Sequence, residues 1–116
     1  FQSLPYASEI TIDWSNNEDS KVRATGYWLL SRLLIMKKFT VYIRIEDFNH
    51  VISDVKSEDL SLRKASLLLL KQIGRLSVVQ AKNILEGSRH FKNSPDMFDR
   101  EIFDSLSFEF EYYSKN

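Results

Sequence analysis

Apolar and polar residues alternate along Glu9-Ile10-Thr11-Ile12-Asp13-Trp14, the period of a strand with one face in the core. The same period recurs from Phe39 to Ile45, setting Phe39, Val41, Ile43 and Ile45 against Thr40, Tyr42 and Arg44. It returns at the end of the chain. There Leu106, Phe108, Phe110 and Tyr112 share one side, with Ser107, Glu109, Glu111 and Tyr113 opposite. These three segments predict three strands.

Between them the apolar residues fall at helical spacing. Ser20 is placed to cap a helix from Lys21 to about Lys38, carrying Val22, Tyr27, Trp28, Leu29, Leu30, Leu33, Leu34, Ile35 and Met36. That apolar surface is wider than one stripe, so this helix is expected to be central and mostly covered. Gly26 inside it marks a place where another element approaches closely. Phe48, Val51, Ile52 and Val55 predict a short helix within residues 46–56. Ser57-Glu58-Asp59 caps a long helix from Leu60 to about Arg75, and Ser77 caps another to about Glu86, closed by Gly87. Ser94-Pro95-Asp96 opens a short helix to Phe103. The expected fold is α+β in two layers: a small three-stranded sheet covered on one face by three or four helices. An edge strand from Phe108 to Tyr113 would offer its main chain to a partner.

A chain of 116 residues with 43% apolar and 28% charged residues suits one domain with its own core. Phe1-Gln2-Ser3 reads as the remnant of an expression tag, and residues 4–116 as a single domain excised from a larger protein. No cysteine is present, so disulfides, thiolate metal sites and thiol nucleophiles are excluded, and an intracellular setting, cytoplasmic or nuclear, is expected. Apolar runs such as Tyr27 to Leu30 stop far short of the roughly 20 residues of a membrane span.

Little in the sequence points to catalysis. His50 and His90 stand apart, with no second histidine at metal-ligand spacing. Ser53, His50 and Asp54 are neighbours in sequence, but a triad is a matter of geometry. The doublets Glu18-Asp19, Glu46-Asp47 and Glu58-Asp59 lie at element ends, where acids serve as caps. Asp96, Asp99, Glu101 and Asp104 do not follow the calcium-loop spacing. Three isolated glycines make no phosphate cradle. No enzyme activity, cofactor, metal or small-molecule substrate is expected.

Charge is balanced overall and uneven along the chain. Residues 60–93 hold seven bases and one acid, whereas residues 94–116 hold two bases and six acids. Arg63, Lys64, Lys71, Arg75, Lys82 and Arg89 form a candidate basic patch on a helical hairpin spanning residues 60–92. Such a patch binds phosphates, binds an acidic partner, or rests against the acidic end of its own chain. Leu67 to Leu85, centred on Ile73-Gly74-Arg75-Leu76-Ser77-Val78-Val79-Gln80-Ala81, resembles the first two helices of a winged helix-turn-helix. The resemblance implies nucleic-acid binding, but the next helix carries acids where a recognition helix would need bases. On the sheet face, Tyr42, Arg44 and Tyr113 are candidate anchors. The primary expectation is a non-enzymatic interaction or assembly domain that binds a protein or a second copy of itself. A nucleic-acid-binding module is the alternative, and no membrane association is expected.

Overall fold

The caps expected from the sequence set the frame. The Asp59 carboxylate accepts from the backbone N–H groups of Ser61 and Leu62 at 2.9 and 3.3 Å, opening a helix over Leu60–Gly74. The Ser77 hydroxyl accepts from the Gln80 N–H at 3.2 Å, at the head of a helix over Val78–Gly87. Asp96 accepts from the Phe98 N–H at 2.9 Å and starts a helix over Met97–Ser114. Each such cap is worth about 1 kcal/mol. At the first long helix the cap lies one residue earlier than expected. Asp19, not Ser20, accepts from the Lys21 N–H at 2.8 Å.

The computed structural model describes residues 10–36 and 49–114. In chain order these form α1 (residues 10–15), α2 (Ser20–Met36), α3 (Asn49–Asp54), α4 (Leu60–Gly74), α5 (Val78–Gly87), a 3-10 turn (Arg89–Phe91) and α6 (Met97–Ser114). Helix α4 is the hub and packs against α2, α3, α5 and α6. It buries Leu62, Ala65, Ser66, Leu69, Leu70 and Ile73. Ala24, Tyr27, Leu30 and Leu34 of α2, Val51 of α3 with Val55 just after it, Ala81 and Ile84 of α5, Phe91 of the 3-10 turn, and Ile102, Leu106 and Phe110 of α6 complete one continuous core. A fully buried aliphatic side chain there contributes about 1.5–3 kcal/mol.

Two glycines fix how closely the helices approach. A Cβ on Gly26 of α2 would collide with the backbone of Trp14 and Ser15, so α1 ends directly against α2. A Cβ on Gly74 would fall within the Phe110 ring, which lies against the last turn of α4.

The α+β expectation is overturned: the described residues are all-helical, with no strand and no sheet among them. At the chain end, Leu106 and Phe110 are four apart, a helical as well as an alternating spacing. With Ile102 they form the buried stripe of α6, while Phe108, half a turn round, is 82% exposed. Alternation would have put Phe108 beside them. In residues 10–15 the buried side chains are Thr11, which alternation assigns to solvent, and Ser15, whose backbone lies against Gly26. The Phe39 to Ile45 segment lies outside the described residues. The edge strand and the sheet-face docking surface go with the sheet. Tyr42 and Arg44 lie outside the described residues, and Tyr113 falls in the last turns of α6. Helix α2 is not the covered centre either, since Trp28, Ile35 and Met36 are exposed.

Candidate docking surface

The buried serines Ser15, Ser31, Ser66 and Ser88 donate to the carbonyl one turn back, while the buried carboxylates bond to other side chains. Arg23 of α2 meets Asp54 of α3 with two bonds, Nε to Oδ2 at 2.7 Å and Nη2 to Oδ1 at 3.1 Å. Its Nη1 donates to the carbonyls of Asn17 and Glu18 in the loop before α2, at 2.9 and 3.2 Å. The buried Tyr27 hydroxyl, one turn on, donates to Asp54 Oδ2 at 2.6 Å. Burial, and then this bond to a carboxylate, push the Tyr27 phenol well above its ordinary pKa. The His50 ring stacks on Tyr27 at 5.8 Å, and its Nε2 donates to the Ser15 carbonyl at 2.6 Å. Ser53 is exposed and takes no part. The Ser53–His50–Asp54 proximity therefore resolves into a structural knot, with both Asp54 oxygens and the His50 Nε2 already engaged.

A second knot joins α6 to the turns before it. The Asp99 carboxylate accepts from the Ser94 hydroxyl at 2.8 Å and from the Lys56 ammonium at 3.1 Å. Burial alone would raise this carboxyl; the Ser94 and Lys56 contacts outweigh it and hold its pKa below the ordinary range. Among the described residues no group of three or more His, Asp or Glu side chains is arranged to hold a metal ion. No helix among them is long and apolar enough to cross a membrane.

Three of the six bases of the candidate patch meet partners within the chain. Arg75 pairs with Glu109 of α6, its Nε lying 2.7 Å from Oε1. Arg89 pairs with Glu86 one turn back at 3.0 Å. The Arg63 guanidinium sits 4.4 Å above the Phe98 ring. Lys64, Lys71 and Lys82 carry no ion pair among the described residues, and Lys64 points to the α2 side of α4. The acidic end of the chain thus takes up part of the charge, as one of the readings of the sequence had it.

What the sequence reading missed is the outer face of α2. Lys21, Thr25, Trp28, Arg32 and Ile35 follow one another at helical spacing, and all five are exposed. Trp28 is 49% exposed and Trp14, from the end of α1, 39%. Beside Trp28 a groove of about 510 Å³ runs between α2 and α4, lined by Ala24, Thr25, Ser61, Lys64, Ala65 and Leu68. A second, of about 500 Å³, is lined by Trp14, Asn17, Lys21, Val22 and Thr25. Thr25 borders both, so the two grooves form one continuous surface. Its rim is cationic: Lys21 and Lys64 line the grooves, and the Arg32 guanidinium lies over the Trp28 ring at 5.6 Å. The signal was in the sequence, in that α2 holds more large apolar residues than one buried stripe can absorb.

The described residues form an all-helical body with an apolar, cation-rimmed groove. The chain matches no protein family, no curated protein and no solved structure.

Proposed function

We propose that this is a non-enzymatic protein-interaction domain whose working surface is the outer face of α2 with its two grooves. One observation carries the reading: two half-exposed tryptophans stand at the mouths of contiguous apolar grooves on the side of α2 turned away from the core. Tryptophan is the residue most enriched among interface hot spots, and leaving two in water has a cost that a partner removes. The cationic rim selects an apolar partner segment flanked by acids. A cysteine-free sequence suits a reducing, intracellular compartment.

The nucleic-acid reading keeps fewer residues. Three of its six bases are engaged within the chain, and Glu101 and Asp104 stand exposed on α6. Carboxylates at that surface repel phosphates.

The test uses single-tryptophan chains, Trp14→Phe and Trp28→Phe, so that each indole reports alone. An acidic amphipathic helical peptide is titrated in, alongside short duplex DNA and RNA at low and moderate salt. The expected result is a blue shift of Trp28 emission with the peptide, abolished by Lys64→Glu, which changes the groove and keeps the reporting indole. Nucleic-acid binding that is lost in Lys71→Glu and Lys82→Glu, yet kept in Trp28→Ala, would overturn the proposal. So would a peptide that leaves both indoles unmoved.

A further inference from the structure

Helix α6 presents an outer face that complements the groove. Met97, Glu101, Asp104 and Phe108 follow at helical spacing and all are exposed. Phe108, at 82%, is the most exposed of the large apolar side chains among the described residues, and Met97 follows at 65%. The two lie about 16 Å apart along the helix axis, with the two carboxylates between them. Glu101 and Asp104 make no ion pair among the described residues. One face of the molecule therefore offers an apolar ridge with acids, and another an apolar trough with cations.

One chain cannot satisfy both at once. The groove lies along Ser61, Lys64, Ala65 and Leu68 of α4, a single helical stripe. The contacts to α6 lie on another stripe, through Arg63 over Phe98 and Gly74 against Phe110. These stripes are on opposite sides of α4. The outer face of α6 points away from the body and cannot fold back into its own groove.

Resting on the docking surface proposed above, we infer that the α2–α4 groove takes α6 of a second copy, with Phe108 beside Trp28 and with Glu101 and Asp104 toward Lys64 and Arg32. Ridge and trough are different patches on opposite sides, so the contact is heterologous and propagates head to tail.

Sedimentation velocity over a concentration series tests this on the whole chain. The wild type is expected to grow beyond two chains with concentration, and less so at high salt. Phe108→Glu and Lys64→Glu each weaken association by about 30-fold, the scale of an interface hot spot. Both side chains are exposed, and circular dichroism confirms that the variants remain folded. The decisive arm mixes the two. F108E keeps its groove and K64E keeps its ridge, so together they form a capped pair of two chains and no more.

A wild-type mass of one chain at every concentration would overturn the inference, as would growth that stops at two or a mixture that forms no pair. If the chain stays single while the acidic peptide still shifts Trp28, this inference fails and the docking surface stands. If neither engages Trp28, both fail.

Discussion

Helix α2 meets α3 through a guanidinium and a carboxylate, whereas α4 meets α6 through a glycine seated against a phenyl ring. Both junctions are close, and both are needed to complete the core. The first is directional. Arg23, Asp54 and Tyr27 satisfy one another in a single arrangement, and removing one member strands the others in a poorly hydrated place. The second is a matter of volume, set by the space that Gly74 leaves for the Phe110 ring. Directional contacts concentrate their cost on one atom; packed contacts spread it over a surface that relaxes. The two junctions should therefore respond differently to the same scale of change.

The largest effect is expected at the polar junction. Asp54→Ala leaves Arg23 and the Tyr27 hydroxyl without their acceptor and should cost about 3 kcal/mol in urea unfolding. Tyr27→Phe, which leaves the ion pair intact, should cost only about 1 kcal/mol. Equal losses would show that the carboxylate is not the centre of this junction.

The glycines come next. In an ordinary helix interior, Gly→Ala gains up to about 1 kcal/mol. Here Gly26→Ala should lose about 2–3 kcal/mol, because the new methyl meets the backbone of Trp14 and Ser15. Gly74→Ala should lose about 1–2 kcal/mol, because a phenyl ring yields more readily than main chain. The reverse order would break the comparison.

Asp99 gives a pH signature. Its folded pKa is depressed, so its contribution is fully present above the unfolded value of about 3.9 and is lost as pH falls through the folded value. The urea midpoint of Asp99→Asn should lie below that of the wild type at neutral pH, and the two should converge as pH falls below about 4. The smallest effect is expected at the exposed Arg89–Glu86 pair, where Arg89→Ala should change stability by less than about 0.5 kcal/mol.

Much of the helical frame was legible. The caps at Asp59 and Ser77, the break between α4 and α5, and the close approach at Gly26 all follow from local chemistry that a sequence displays. The end of the chain was misread because Leu106 and Phe110 fit two periods at once. Ile102, four residues before Leu106, belongs to the helical one and extends the stripe. In residues 10–15 the apolar residues misled for a different reason: the buried side chains there are the polar Thr11 and Ser15, and Gly26 of α2 lies against the backbone of Trp14 and Ser15. A sequence counts charges without their partners. Glu109 and Glu86 lie where they neutralise Arg75 and Arg89.

By itself the sequence determined where α4 and α5 start and stop, since caps and glycines act within a turn or two of themselves. It also determined the chemistry on offer: no thiol, no phosphate loop and no histidine pair. Tertiary structure alone decided which apolar residues are core and which are surface. Trp28 and Tyr27 are neighbours in one helix, yet Tyr27 is sealed against Asp54 while Trp28 faces water. That choice depends on which side of α2 is met by α4, an encounter between residues more than thirty positions apart, and no local pattern records it.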